Sequence, residues 1–199
     1  ELMKRYMLLP VLMFFCIQMN AQKKSYTSQI NSYWKQYVDT HEVIKGHDRV
    51  YFRFFKPNVQ YRVTASFSKI NDTIGFIMKT SGKRTPRYYR YGTLYFKIHD
   101  TALQLTVYRS EDLQNNPQYK DYLFVPYTDL TSGEESYGGG KYIEFYVKDI
   151  KNNRLLLDFN KAYNPYCAYA TGYNCPIPPR ENDLPVAIRA GEMNFAKGH

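Results

Sequence analysis

The stretch Tyr88-Tyr89-Arg90-Tyr91-Gly92-Thr93-Leu94-Tyr95-Phe96-Lys97-Ile98 runs into His99-Asp100 and then into Ala102-Leu103-Gln104-Leu105-Thr106-Val107-Tyr108. Two segments rich in aromatic and β-branched residues, joined by a short polar pair, predict a β-hairpin. Upstream, Tyr61, Val63, Ala65 and Phe67 alternate with Arg62, Thr64 and Ser66, and Val50, Phe52 and Phe54 alternate with Tyr51, Arg53 and Phe55. Period two places such residues on opposite faces of a strand. Further strands are expected over Thr73 to Met78, Tyr122 to Pro126, Lys141 to Val147, Arg154 to Phe159 and Leu184 to Arg189. Short strands at this spacing predict a mainly β fold, an antiparallel β-barrel or sandwich.

One segment departs from this pattern. Between Ser25 and Val43, Ile30, Trp34, Tyr37 and Val38 recur at helical spacing, while Lys35, Gln36 and Asp39 fall off the stripe. A single N-terminal helix packed on the sheet is the expectation. The chain of 199 residues holds 21 Tyr, 12 Phe and 1 Trp, an excess of tyrosine that suits strands, where flat rings pack well on a pleated surface. Only 3 Cys exclude a disulfide-dense mini-protein, and 44% apolar with 23% charged residues argues against wholesale disorder. No linker rich in Pro, Gly or Ser and no internal repeat divides residues 22–199, which are expected to form one domain.

Residues 1–21 have the layout of an export signal. Lys4 and Arg5 follow Met3, Met7 to Ile17 is apolar apart from Pro10, and small Ala21 precedes Gln22. The apolar run is short for a membrane span of about 20 residues. An uncleaved anchor is the alternative. A lipoprotein on Cys16 is another, although Phe14 and Phe15 stand where small residues belong. The formal net charge is +9, and removing Glu1, Lys4 and Arg5 lowers it by one. An exported, basic protein, periplasmic or secreted, is not expected to meet nucleic acid or to keep a stable membrane span. Its positive charge suits an anionic ligand.

Charge is also blocked along the chain. Lys79, Lys83, Arg84, Arg87, Arg90 and Lys97 lie in an interval without acids, with Tyr88, Tyr89 and Tyr91 between them. Asp121, Asp129, Glu134 and Glu135 lie in an interval without bases. The blocks are expected to be solvated or to pair with each other across neighbouring strands. Alternatively, the first contacts an anion, or Asp129 and Glu135 hold a hard cation. Gly138-Gly139-Gly140-Lys141 is not a phosphate loop, because Glu135 stands where its first glycine belongs and Tyr142 where Ser or Thr should follow the lysine. Its glycines serve positive dihedrals or close approach where a strand begins. Ser132 would need a base nearby to act as a nucleophile. His41 ends the expected helix, where a cation suits the dipole, and His99 sits in a turn.

Cys167 and Cys175 are the two thiols beyond the leader, and two cysteines in an exported protein most often pair. Metal ligation or a free catalytic thiol are the alternatives. Around them runs Asp158-Phe159-Asn160, Tyr163-Asn164-Pro165, Pro178-Pro179-Arg180-Glu181-Asn182 and Ala187-Ile188-Arg189-Ala190-Gly191-Glu192. With Arg90-Tyr91-Gly92-Thr93-Leu94 and the segment from Leu123 through Asp129, Thr131-Ser132-Gly133 and Glu135 to Tyr142, these blocks resemble family 1684 of the domains of unknown function, a bacterial family. The family pattern usually has Arg at position 141 and Phe at position 127, where this chain has Lys and Tyr. The resemblance implies a fold and no established activity.

Three functions remain open at this point. A binding module would hold a small or anionic ligand in a Tyr/Asn/Lys-lined cleft, with Arg90, Asp129, Ser132, Glu135, Tyr137, Lys141, Tyr163, Asn164 and Glu181 as candidate contacts. A hydrolase would use Asp129, Ser132, Glu135 and Glu181 as acids, base or nucleophile. A structural or interaction protein would use the same residues to hold the fold. No cofactor and no metal site are expected.

Overall fold

A computed structural model describes residues 25–197; the expected export signal over residues 1–21 lies outside the described residues. The helix α1 covers 25–40, then β1 is Arg62–Lys69, β2 Phe76–Ile77, β3 Arg87–Ile98 and β4 Thr101–Ser110. A single turn α2, Glu111–Gln114, leads to β5, Tyr122–Tyr127, followed by β6, Lys141–Tyr146, and β7, Arg154–Asp158. All seven strands form one antiparallel sheet in the order β6-β5-β4-β3-β1-β7, with β2 paired to β3. The protein is mainly β, and of the two expected forms it takes the barrel-like one. The sheet curls into a half-barrel, and its edge strands β6 and β7 face each other across a groove.

The β3–β4 hairpin is the spine of this sheet. His99 and Asp100 both take positive φ, 45° and 36°, the geometry of the two-residue turn whose twist matches its strands. The ladder runs from Ile98 opposite Thr101 to Tyr88 opposite Ser110, with an irregularity between Arg90 and Gly92. At Gly92 a β-carbon would stand 2.7 Å from the Ser68 carbonyl and would also press on the Phe67 ring, so a side chain there would force the backbone to shift.

Side-chain alternation gives the sheet two different faces. Leu94, Phe96, Leu105, Val107, Leu123, Val125, Ile143, Phe145, Leu155 and Leu157 fill the main core. The intervening residues Tyr88, Tyr108, Phe124 and Tyr142 form a second, aromatic layer on the other face. Between β4 and β5 the ladder is reduced to Tyr108 opposite Phe124. Asn182 occupies the split: its amide donates to the carbonyls of Thr106 (2.9 Å) and Pro126 (2.7 Å) and accepts from the Thr106 N–H (2.7 Å). A buried amide thus replaces the backbone pairing that the splayed strands lose.

The expected helix stripe is present. Ile30 and Trp34 are buried with Tyr26, while Lys35 and Asp39 form an exposed pair one turn apart. Tyr26 ties α1 to β7 by donating to Asp158 at 2.8 Å.

Two expected strands are absent. Residues 50–55 alternate in sequence, yet Gly46–Tyr51 is a 3-10 helix and Phe54 makes only an isolated bridge to Glu192. The rings of Phe52 and Phe54 pack against α1 and the 163–169 segment instead of a neighbouring strand. Leu184 to Arg189 makes main-chain bonds to Thr128 and Leu130 at Leu184 and Val186 but no continuous ladder, because side chains take the backbone groups of Ile188. Asp129 accepts from the Ile188 N–H and Lys141 donates to the Ile188 carbonyl.

Candidate functional site

The structure divides the nine sequence-selected residues among four places. Asp129, Ser132 and Lys141 lie together in the first. Asp129 and Lys141 side chains are fully shielded, with Nζ 3.2 Å from Oδ2. Lys141 also donates to Thr131 Oγ1 (3.3 Å) and to the carbonyls of Ile188 (3.2 Å) and Ala190 (3.5 Å). Asp129 Oδ1 accepts from the N–H groups of Thr131 (2.7 Å) and Ile188 (3.2 Å), and Ser132 Oγ accepts from the Asp129 N–H. Burial pulls the Lys141 ammonium below the usual lysine range, opposed by the Asp129 charge. This knot joins the 128–136 loop, the start of β6 and the 184–192 segment. Gly140 precedes it at φ +85°, where a β-carbon would meet the Tyr127 carbonyl at 2.5 Å.

Arg90 and Glu181 occupy a second place, an exposed rim contact at 3.0 Å that also accepts the Tyr108 hydroxyl. Glu135 is held by Arg189 at 2.9 Å, beside the first knot. The two charge blocks therefore do not pair with each other, since Arg84 and Arg87 meet Asp112 and Glu111. Asp129, Ser132, Glu135 and Glu181 are each engaged with separate partners, and among the described residues no histidine accompanies Ser132 in its contacts. Among the described residues, no three His, Cys, Asp or Glu side chains gather to hold a metal ion.

Asn164 marks the third place, with Glu192, a residue that sequence reasoning left out. Glu192 is wholly buried and accepts from the Asn164 N–H (2.9 Å), Tyr169 (2.6 Å) and Tyr37 (3.4 Å). Burial pushes its carboxyl up to about 8, although these donors oppose the shift. Tyr137 packs nearby in the aromatic cluster of Phe52 and Tyr169. His41 belongs to the same layer and corrects the helix-dipole expectation. It is buried among the rings of Tyr37, Phe52, Tyr166 and Tyr169. Burial holds it down to about 4, so it is neutral at pH 7, and Nδ1 accepts from the Ile44 N–H.

The fourth place is a cleft, and of the nine only Tyr163 lines it. It has a volume of about 600 Å³. Tyr33, Tyr37 and His41 come from α1 and the residue after it; Tyr122, Phe124, Tyr142 and Glu144 come from β5 and β6. Tyr163, Tyr166, Tyr173 and Cys175 come from the segment that crosses over them. Cys167 and Cys175 are joined by a disulfide, with Cα atoms 6.2 Å apart, as their number suggested. The crossing segment is also pinned by main-chain bonds between Tyr142 and Tyr163 (2.9 and 3.1 Å), by Tyr142 donating to the Pro176 carbonyl, and by Tyr166 donating to Glu42 (2.9 Å).

Glu144 stands opposite Phe124 on the aromatic face, one strand period from Tyr142 and Tyr146. Tyr163 donates to it. The surrounding protein raises its carboxyl above the usual range, and hydrogen bonding by Tyr122 moderates the rise. Burial likewise raises Tyr33 and Tyr166 to about 12 and raises Tyr37, Tyr122 and Tyr142 further, so these hydroxyls remain neutral donors. The sequence signal for this wall was Tyr142-Ile143-Glu144-Phe145-Tyr146, where polar and aromatic residues alternate with core residues.

One residue of the core fits its surroundings poorly. Tyr127 is wholly buried, and its hydroxyl has no partner among the described residues. An unsatisfied buried hydroxyl costs about 1 kcal/mol or more. Tyr127→Phe is therefore expected to stabilise by about 1 kcal/mol, raising Tm by about 2–4 °C in a chain of this size. A calorimetric scan checks this.

A model of the family described as protein of unknown function, DUF1684, matches residues 50–193. None of the curated proteins matches the chain. Among solved structures, the solution NMR structure of the uncharacterized protein from gene locus rrnAC0354 of Haloarcula marismortui is similar to it. The two share 30% sequence identity with a TM-score of 0.64, over 87% of this chain and 97% of that one.

Proposed function

As the chain belongs to the DUF1684 family, proteins of unknown function, no activity comes to it by kinship, and we propose from its geometry that it is a small-molecule binding module. The ligand sits in the tyrosine-lined cleft. The observation that carries this reading is the wall itself: eight tyrosines and one phenylalanine around about 600 Å³. Clefts that take small ligands span roughly 300–1,000 Å³ and combine apolar surface with a few placed polar groups. Tyrosine supplies both, a ring for contact area and a hydroxyl for orientation. The wall is also braced by the disulfide and by the bonds from Tyr142 and Tyr166, which limits the ordering that binding must impose.

The sequence suggested a Tyr/Asn/Lys-lined site. Here Asn164 and Lys141 hold the fold, and Glu144 joins the tyrosines at the cleft. The disulfide supports work in an oxidising compartment outside the cytoplasm, as does the leader-like sequence of residues 1–21.

The test is a thermal-shift screen across amines, sugars and carboxylic acids. At about 100 times Kd a ligand stabilises by about 2.7 kcal/mol, several degrees in Tm. One class is expected to give such a shift in the wild-type protein and not in Tyr163→Ala. No shift with any class, or equal shifts in the variant, would overturn the reading.

A further inference from the structure

We propose that the cleft selects a cationic ligand, an alkylammonium group seated among tyrosine faces against Glu144. This rests on the cleft being a binding site and names the class of ligand it takes.

The chain carries 27 Lys and Arg against 18 Asp and Glu. Yet, among the described residues, the cleft wall contains Glu42 and Glu144 and no lysine or arginine. The basic residues stand elsewhere. The neighbouring groove between β6 and β7, which shares Tyr33, Glu144 and Tyr163 with the cleft, holds Arg62, Lys151 and Lys161 together with Asp149 and Asp158. Among the described residues, neither Glu42 nor Glu144 has a basic nitrogen within ion-pair distance, whereas Asp129, Glu135 and Glu181 all do. The contacts of Glu42 and Glu144 in the cleft are tyrosine hydroxyls. The cleft is thus a locally negative place on a positive protein.

The rings add to this. An aromatic face carries the negative end of a quadrupole and attracts a cation within about 6 Å of its centroid, the more strongly when water is excluded. The Tyr142 ring meets Phe124 edge-on at 4.7 Å and Tyr163 at 5.9 Å, so neighbouring rings of the wall stand at steep angles to one another instead of lying in one plane. The Glu144 carboxylate reaches the opening of the cleft with Tyr163 as its hydrogen-bond donor and, among the described residues, no basic nitrogen at ion-pair distance, so an ammonium group can take that place. A hard metal ion does not suit the site, because such ions take six to eight oxygen ligands and the cleft offers two carboxylates among protonated tyrosines. An anion would face both carboxylates.

The experiment is isothermal titration calorimetry with choline and with its uncharged isostere dimethylbutanol, in which carbon replaces the quaternary nitrogen. Glucose and succinate are run alongside. Choline is expected to bind at least tenfold more tightly than the isostere. Glu144→Gln should erase that preference while leaving the isostere's affinity unchanged. Salt offers a second readout on the unaltered chain: choline affinity falls with ionic strength and the isostere's does not. Equal binding of choline and isostere, or an unchanged preference in Glu144→Gln, overturns the cation inference and leaves the binding module standing. Binding of glucose or succinate without choline does the same. No binding of any probe, together with a blank thermal-shift screen, removes both.

Discussion

Lys141→Met lowers the urea midpoint of unfolding by the equivalent of about 3–5 kcal/mol, the cost of leaving a buried charge without its partner. Asp129 would keep its two backbone donors, Thr131 and Ile188, and lose the ammonium 3.2 Å away. The carbonyls of Ile188 and Ala190 would lose a donor at the same stroke. Three chain segments meet at this lysine, so the loss is not confined to one pair. Lys141→Arg is expected to cost less, because a guanidinium keeps the charge and several donors, though its planar fork must fit a site built around a single Nζ. Asp129→Leu combined with Lys141→Met should recover part of the loss, since the unpaired charge is gone, while the N–H groups of Thr131 and Ile188 stay orphaned. Equilibrium unfolding at constant m-value measures all three. A Lys141→Met protein as stable as the wild type would show that the pair does not hold the fold.

The stability of the wild-type protein falls as pH rises from about 6.5 to about 8, and Glu192→Gln removes most of that fall. The carboxyl of Glu192 is raised from about 4.5 in the unfolded chain to about 8 in the folded one. In that window the folded state binds more protons than the unfolded state, so its contribution is full below pH 4.5 and is lost as pH climbs through 8. Every tenfold difference in proton affinity between the two states is worth about 1.4 kcal/mol, so the loss amounts to a few kcal/mol. His41 acts in the opposite direction at lower pH. Its folded value of about 4 lies below the usual 6.5, so its contribution is present above 6.5 and is lost as pH falls toward 4. The two effects oppose each other between 4.5 and 6.5, which is why the Glu192 signature is clearest above 6.5. Glu144, also raised, adds to the same trend, and the difference between wild type and Glu192→Gln isolates Glu192. Thermal unfolding across pH 5–9 reads the result. Parallel curves for the two proteins would mean that Glu192 is ionised in the fold at neutral pH.

Much of the sheet was legible because its strands obey local rules. The β3–β4 hairpin, β1 and the three later strands β5, β6 and β7 fall where period two and turn residues put them, since each is stabilised by neighbours close in sequence or by a buried face. Residues 50–55 and 184–189 carry the same alternation and form no strand. Phe52 and Phe54 alternate because they serve an aromatic layer under α1, and the backbone of Ile188 is claimed by Asp129 and Lys141. Alternation reports burial on one side, and says nothing of whether a ladder or a side chain satisfies the backbone.

The candidate site was less legible for two physical reasons. Residues that look reactive, such as Asp129, Lys141 and Asn164, are buried where they pair with each other or with main-chain groups of neighbouring segments, and their hydrogen-bonding capacity is taken up there. The cleft, by contrast, is assembled from α1, β5, β6 and the cystine segment, which become neighbours through the curl of the sheet. Net charge points another way from local charge. A total of +9 suits an anion, while the large tyrosine-lined cavity holds carboxylates. The count of 21 tyrosines points to the same cavity, because eight of them wall it.

The most direct test of the central claim, that this cavity is a ligand site, is saturation-transfer NMR on a mixture of choline, dimethylbutanol, glucose and succinate, with wild-type protein and Tyr163→Ala. At least one compound should receive saturation from the wild-type protein and lose it with the variant. No transfer to any compound, or the same transfer from both proteins, would contradict it.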